Sequence, residues 1–180
     1  MPDPIHEFHL ILSDTIEMDE DLADAIYGGA CGDCNISVRQ GRVTLVFERR
    51  SPSLKEAIFS AIKDYRSENH PDMIMRVDDC NLVTQSEIAR RSSRHKQQVH
   101  DWIKGKRGDG KFPPPICEIG PGKPLYLWCE VAHWLYENNF VPEDILQNAE
   151  ILSAINSVLE LRHQKQHSED FIKEVEELVY

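Results

Sequence analysis

The side chains best suited to binding chemistry crowd into one stretch, Thr84 to Gly105, which reads TQSEIARRSSRHKQQVHDWIKG. It sets guanidinium and ammonium groups beside carboxamides and imidazoles. The first kind attracts anions, and the second kind makes directional hydrogen bonds. From Gln85 to Phe112 eight Lys/Arg (Arg90, Arg91, Arg94, Lys96, Lys104, Lys106, Arg107, Lys111) stand against three acids, a local balance of +5 in a chain of formal net charge −11. The flanks are the reverse, with residues 1–80 summing to −8 and residues 137–180 to −7. A basic island between acidic flanks is a footprint for a polyanion. A solvated helix face has the same composition, so charge alone leaves both readings open.

Other reactive residues fall short of a site. Cys31-Gly-Asp-Cys34 has the spacing of a zinc knuckle or a redox pair, but a structural zinc takes four ligands. Cys80, Cys117 and Cys129 are isolated and no second C-x-x-C exists. Cys34 therefore reads as a small buried strand residue. His6 and His9 alternate on one strand, and His163 and His167 stand four apart. Neither pair has a metal-site pattern around it. No phosphate-binding Gly loop, nucleophile elbow or paired acid–base constellation is present. The expectation is a protein that is not an enzyme, with no catalytic residues, no cofactor and no metal.

At 180 residues, 41% of them hydrophobic, the chain fits one large domain or two small ones with a packed core. No apolar run approaches the ~20 residues that span a bilayer, so no membrane partner is expected. The start, MPDPIHEF, lacks the basic and apolar regions of a secretory signal. Five cysteines without an export signal read as reduced thiols in a cytoplasmic protein.

Three sections would position the basic island, giving an α+β chain. The first, 1–80, opens with the strand IHEFHLILS and the acidic helix MDEDLADAIYGGA, closed by Gly28-Gly29. A hairpin, CNISVRQGRVTLVFER, follows around Gln40-Gly41, with Ile36, Val38, Val43, Leu45 and Phe47 on one face. Next comes a helix capped by Ser51 or Ser53, with Leu54, Ile58, Ala61, Ile62 and Tyr65 at helical spacing, and then the strand DMIMRVDDC. This βαββαβ order is the ferredoxin-like plan.

The second section, 82–137, starts with the capping-box spacing Thr84–Glu87. A short helix with Ile88 and Ala89 leads to a break at RSSR, and a second helix runs from about His95 to Lys104 with Val99, Trp102 and Ile103 as its apolar side. That spacing lets two short helices cross with a small residue at closest approach, as in a helix-turn-helix. A loop, two short strands around Gly-Pro-Gly and a helix with Val131, Trp134 and Leu135 complete it. The third section, 138–180, has a helix with the stripe Ile145, Ala149, Leu152, Ile155 and Leu159. A polar break at RHQKQHSED then precedes a last amphipathic helix with Phe171, Ile172, Val175 and Leu178. These helices would dock on the chain's own core or form a dimer interface.

The pattern SEIARR…VHDWIKG…KFPPPI…YLWCEVAHWL resembles the winged helix-turn-helix of the MerR, AlpA and excisionase-like DNA-binding proteins. The resemblance covers about 55 residues. Ser93 stands where that family usually carries Gly, and Arg94 where an apolar residue is common. The resemblance implies a second helix in the major groove of double-stranded DNA, with the loop and hairpin as a wing near the backbone. On that reading His95, Lys96, Gln97 and His100 face base edges. Arg90, Arg91, Arg94, Lys104, Lys106, Arg107 and Lys111 neutralise phosphates or reach a groove from the wing.

The function this implies is a sequence-specific transcription regulator that acts as a homodimer, its N-terminal domain serving as a sensor, partner or assembly module. The alternative is an antitoxin-like or other interaction module whose acidic surfaces bind a basic protein partner such as a toxin.

Overall fold

The computed structural model describes residues 2–13, 20–28, 31–39, 41–67, 74–78 and 80–179. In chain order the elements are β1 (Ile5–Leu12), α1 (Glu20–Gly28), β2 (Cys34–Arg39), β3 (Arg42–Arg50), α2 (Leu54–Ser67), β4 (Ile74–Val77), β5 (Leu82–Val83), α3 (Gln85–Arg91), α4 (Lys96–Ile103), β6 (Cys117–Glu118), β7 (Pro124–Leu127), α5 (Trp128–Glu137) and α6 (Glu143–Val179). The fold is mixed α+β with antiparallel sheets. Residues 1–78 and 154–180 form one compact unit and residues 79–153 a second. The section 138–180 is thus divided between the two at Ser153. Gly29 and Gln40, expected to close α1 and turn the hairpin, lie outside the described residues, as do Asp72 and Met73 ahead of β4. Among the described residues no helix is long and apolar enough to cross a membrane.

In the first unit a four-stranded sheet has the order β2-β3-β1-β4. Alternation along the strands puts Phe8, Leu10 and Leu12 on the same side as Leu45 and Phe47, since Phe8 pairs with Phe47 and Leu10 with Leu45. All five are fully buried, together with Ile26 of α1 and Ala57, Ile58, Ala61 and Tyr65 of α2. The Phe8 and Phe47 rings stack at 5.2 Å. Ser53 is the cap of α2, its Oγ accepting from Glu56 N–H at 3.2 Å. Ile36 and Val38 do share the face of Leu45 and Val43, but Val38 remains 57% exposed because β2 is an edge strand. Arg49 ties the sheet to α2: its guanidinium donates twice to Asp33 at 2.7 Å, and also to Ser60 and Asp64.

The other edge, β4, is sealed by side chains. The Asn156 carboxamide accepts from Val77 N–H and donates to Val77 C=O, both at 2.8 Å, and Arg162 Nη2 donates to the carbonyl of Ile74. A sheet edge so covered cannot template pairing with another chain.

The second unit holds a three-stranded sheet, β5-β7-β6, and one core of Val83, Ile88, Ala89, Val99, Trp102, Tyr126, Trp128, Val131, Ala132, Trp134, Leu135, Val141, Leu146 and Ala149. The expected stripe of the last section is uneven, with Ala149 and Leu159 buried and Ile145, Leu152 and Ile155 half-buried. The break expected within residues 162–170 is present but narrower: two helices meet at an interruption at Ser168 (φ −155°, ψ 58°), and residues 162–167 belong to the first of them. Arg, Gln and Lys are good helix formers, so the first helix runs on through the polar residues as far as that interruption. Lys165 and Glu176 bridge that interruption at 2.7 Å.

Candidate nucleic-acid interface

The basic island is built on α3 and α4. Thr84 Oγ1 accepts from Glu87 N–H at 3.3 Å and starts α3. The capping-box spacing predicts a Glu87 side chain that reaches back to the Thr84 N–H; its carboxylate instead accepts from Arg90 Nε and Nη2 and from Arg91 Nε, at 2.6 to 3.1 Å. Two guanidiniums attract a carboxylate more strongly than one backbone N–H. The Arg90 hydrogen bond leads in holding the Glu87 carboxyl down at about 2, with Arg91 adding to it.

The chain then turns through Ser92 and Ser93. Ser93 adopts φ +52°, the left-handed conformation that glycine takes at lowest cost. Its N–H donates to Arg90 C=O at 3.1 Å, one half of a Schellman closure. The same closure ends α4 at Gly105 (φ +65°) and α5 at Asn139 (φ +59°). Gln85 Nε2 donates to Lys96 C=O at 2.9 Å and locks the start of α3 to the start of α4. Ile88 and Ala89 are buried with Val99 and Trp102, as their spacing predicts.

The opposite side of α4 faces solvent. His95 is the residue that caps it, its N–H donating to Gln98 Oε1 at 3.2 Å. Lys96 and Gln97 follow in the first turn, both exposed, and His100 is half-buried one turn on. Gln97 Nε2 donates to Asp101 Oδ1 at 3.2 Å. All four residues expected to read bases therefore sit together on the cap and first turns of one helix.

The residues expected to meet phosphates divide. Lys104, Lys106, Arg107 and Lys111 are exposed on the loop after α4, with Lys106 3.9 Å from Asp101. Arg90 keeps a 61% exposed side chain despite its bond to Glu87. Arg94 Nη2 donates to Phe140 C=O at 2.8 Å. Arg91 turns inward: its side chain is 12% exposed, donates to Cys80 C=O at 2.9 Å and lies 5.4 Å over the Trp128 ring. Its charge is spent inside the unit.

The loop from Lys104 to Lys111 is fastened to α5. Trp134 Nε1 donates to Asp109 Oδ1 at 2.7 Å, and Asp109 N–H donates to Asn138 Oδ1 at 2.9 Å. Gly108, at φ +78°, lies so close to Trp134 that a Cβ would meet the ring at 2.4 Å. Gly108, Asp109 and Asn138 were missed in the sequence, where only the cluster Gly-Asp-Gly hints at them. Beyond the loop, β6 and β7 form a hairpin whose tip is closed by Lys123 N–H to Gly120 C=O at 3.0 Å, with Gly122 at φ +71°. Pro121-Gly122 at its centre is a type II arrangement.

The remaining reactive residues are engaged elsewhere. Cys31 and Cys34 are both buried, Cys34 at 4% as a strand residue. His6 Nε2 is 3.1 Å from Ser51 O, and His9 Nδ1 3.1 Å from Asp78. His163 and His167 make an edge-to-face ring contact at 4.7 Å. Comparison of the chain with protein-family models, curated proteins and solved structures finds no match.

Proposed function

We propose that residues 82–137 are a winged helix-turn-helix that binds double-stranded DNA, and that the protein is a sequence-specific transcription regulator. One observation carries the reading. Two short helices are joined by a left-handed residue, Ser93, and are fixed by Ile88, Ala89, Val99 and Trp102 in one core, while Lys96 and Gln97 of the second helix face outward. In a helix-turn-helix the first residues of the second helix meet base edges in the major groove. His95, Lys96, Gln97 and His100 are assigned that role, Gln97 by paired bonds to adenine and Lys96 by donation to guanine. Arg90, Arg94, Lys104, Lys106, Arg107 and Lys111 are assigned to phosphates, with the β6–β7 hairpin as the wing. Arg91 contributes by holding α3 in shape.

The sheet order and the two helices of the first unit support a ferredoxin-like domain, which would serve in the cytoplasm as a sensor, partner or assembly module. A second copy of the chain is the occupant proposed for the apolar residues at the end of α6, where Phe171, Leu178 and Val179 are 63%, 81% and 71% exposed. A homodimer pairs two recognition helices with two half-sites and multiplies specificity.

The same exposed apolar residues, set in a section of charge −7, favour one second reading: an antitoxin-like module that docks a basic protein. The deciding experiment is selection of bound duplexes from a random-sequence pool. Enrichment of a motif is the expected result. Failure to enrich any motif moves the function to the protein-binding reading.

A further inference from the structure

The loop Lys104–Lys111 reads KGKRGDGK, and Asp109 is out of place in it. A carboxylate among cations that face phosphates opposes binding, and three glycines at φ +65°, +78° and +77° would leave such a loop disordered unless something holds it. The structure supplies both the problem and its answer. Asp109 Oδ1 accepts from the Trp134 indole N–H at 2.7 Å and from Lys111 N–H at 3.0 Å. On its other side, Asp109 N–H donates to Asn138 Oδ1 at 2.9 Å, and Asn138 Nδ2 donates to Trp134 C=O at 2.9 Å. Trp134 is only 4% exposed and is gripped by Trp102, Phe112 and Phe140 at 5.0 to 5.9 Å. Gly108 fits flat against its ring, where no side chain has room.

We propose that Asp109 is a positioning residue: bonded to Trp134 and Asn138, it holds the loop in one shape so that Lys106, Arg107 and Lys111 meet the phosphates of bound DNA already ordered. This deepens, and rests on, the reading of the second unit as DNA-binding. Ordering the loop beforehand removes an entropic cost from the binding step. The anchor also fixes the spacing between the loop's cations and α4, so that base readout and phosphate contact occur in one register. A negative charge is tolerated at this position because its oxygen is committed to the protein.

The sign of one substitution tests the idea. Removing the Asp109 charge by itself strengthens binding to a polyanion. Asp109→Asn removes the charge but keeps a side-chain oxygen that accepts from the indole, whereas Asp109→Ala removes both. The full chain and its variants are titrated with a fluorescent random-sequence duplex at several salt concentrations. Asp109→Asn is expected to bind at least as tightly as the unmodified chain. Asp109→Ala is expected to bind about fivefold or more weakly than Asp109→Asn, and its slope of log affinity against log salt should fall by roughly one to two contacts' worth at ~0.9 each. Asn138→Ala, which alters no charge, should also lose affinity and slope, and it decides the question alone if Asp109→Ala does not fold. Equal affinity and slope for Asp109→Ala and Asp109→Asn, or an unaltered Asn138→Ala, overturns the proposal while leaving DNA binding intact. If the unmodified chain binds no duplex, the DNA reading itself falls and takes the proposal with it.

Discussion

The backbone N–H of Arg94 donates to the carbonyl of Ala89 at 2.8 Å, and it reaches that oxygen only because Ser93 between them sits at φ +52°. A left-handed residue with a Cβ costs about 1–2 kcal/mol. Ser93→Gly should therefore raise the unfolding free energy by about 1 kcal/mol, and Ser93→Val should lower it, because a β-branched side chain is disfavoured at positive φ. Urea denaturation of the three chains gives the order. A glycine variant no more stable than the original would mean the turn relaxes in solution.

Trp102 is 1% exposed and lies against Trp134 and Phe140 at 5.9 and 5.0 Å. Trp102→Ala should cost about 3–5 kcal/mol, seen as an early loss of the near-ultraviolet aromatic signal on denaturation. A variant that melts normally yet loses DNA binding would put this ring on the outside of α4.

The Arg90 guanidinium, with Arg91 beside it, pulls the Glu87 carboxyl from an ordinary 4.5 down to about 2. A carboxyl whose pKa folding depresses stabilises the protein fully above its unfolded value and loses that contribution as pH falls toward the folded one. The stability difference between the original chain and Glu87→Gln should be constant above pH 5 and shrink steadily from about 4.5 down to about 2. A difference that does not vary with pH in that window would show that the two arginines do not hold the carboxylate.

Base and phosphate contacts separate by how they fail. Gln97→Ala should cost roughly 1–3 kcal/mol on a selected site, relax preference at one base pair and spare nonspecific affinity. Replacing Lys104, Lys106 and Arg107 with Ala should weaken all sequences alike and lower the salt slope by about 0.9 per lost contact. An unchanged slope removes that loop from the interface. Arg91→Ala should act through stability, because its guanidinium already serves Glu87, Cys80 and Trp128.

Replacing Phe171 and Leu178 with Asp should convert a dimer to a monomer by light scattering without unfolding the chain, since both side chains are more than half exposed. A full chain that is already monomeric at micromolar concentration ends the dimer proposal.

Most of the elements were legible because their signals are local. Alternation gave β1 and the hairpin, Thr84 gave the start of α3, and the spacing of Ile88, Ala89, Val99 and Trp102 gave the core between α3 and α4. What stayed hidden depends on residues far apart in the chain. Nothing near Arg91 announces that Trp128 lies beneath it, and nothing near Asp109 announces Trp134. The break in the last section was legible in the polar run 162–170 but its extent was not: only Ser168 leaves the helical conformation, because polar residues on an exposed helix look the same as polar residues in a loop. Asn81 is of the same kind: its side-chain oxygen caps α5 by accepting from Cys129 N–H at 3.0 Å, a role no spacing rule reveals.

The sealing of β4 also orders events in time. Val77 is paired by Asn156, which lies 79 residues later in the chain. At ~5–20 residues per second of synthesis, the strand waits on the order of ten seconds for its cover. During that interval the nascent first unit exposes an open edge of main-chain donors and acceptors, and at high expression neighbouring copies can pair along it. Shortened chains that stop before Ala154 keep the edge open permanently. Such fragments should aggregate through their strands, and multimers among them would report the missing cover instead of the native assembly.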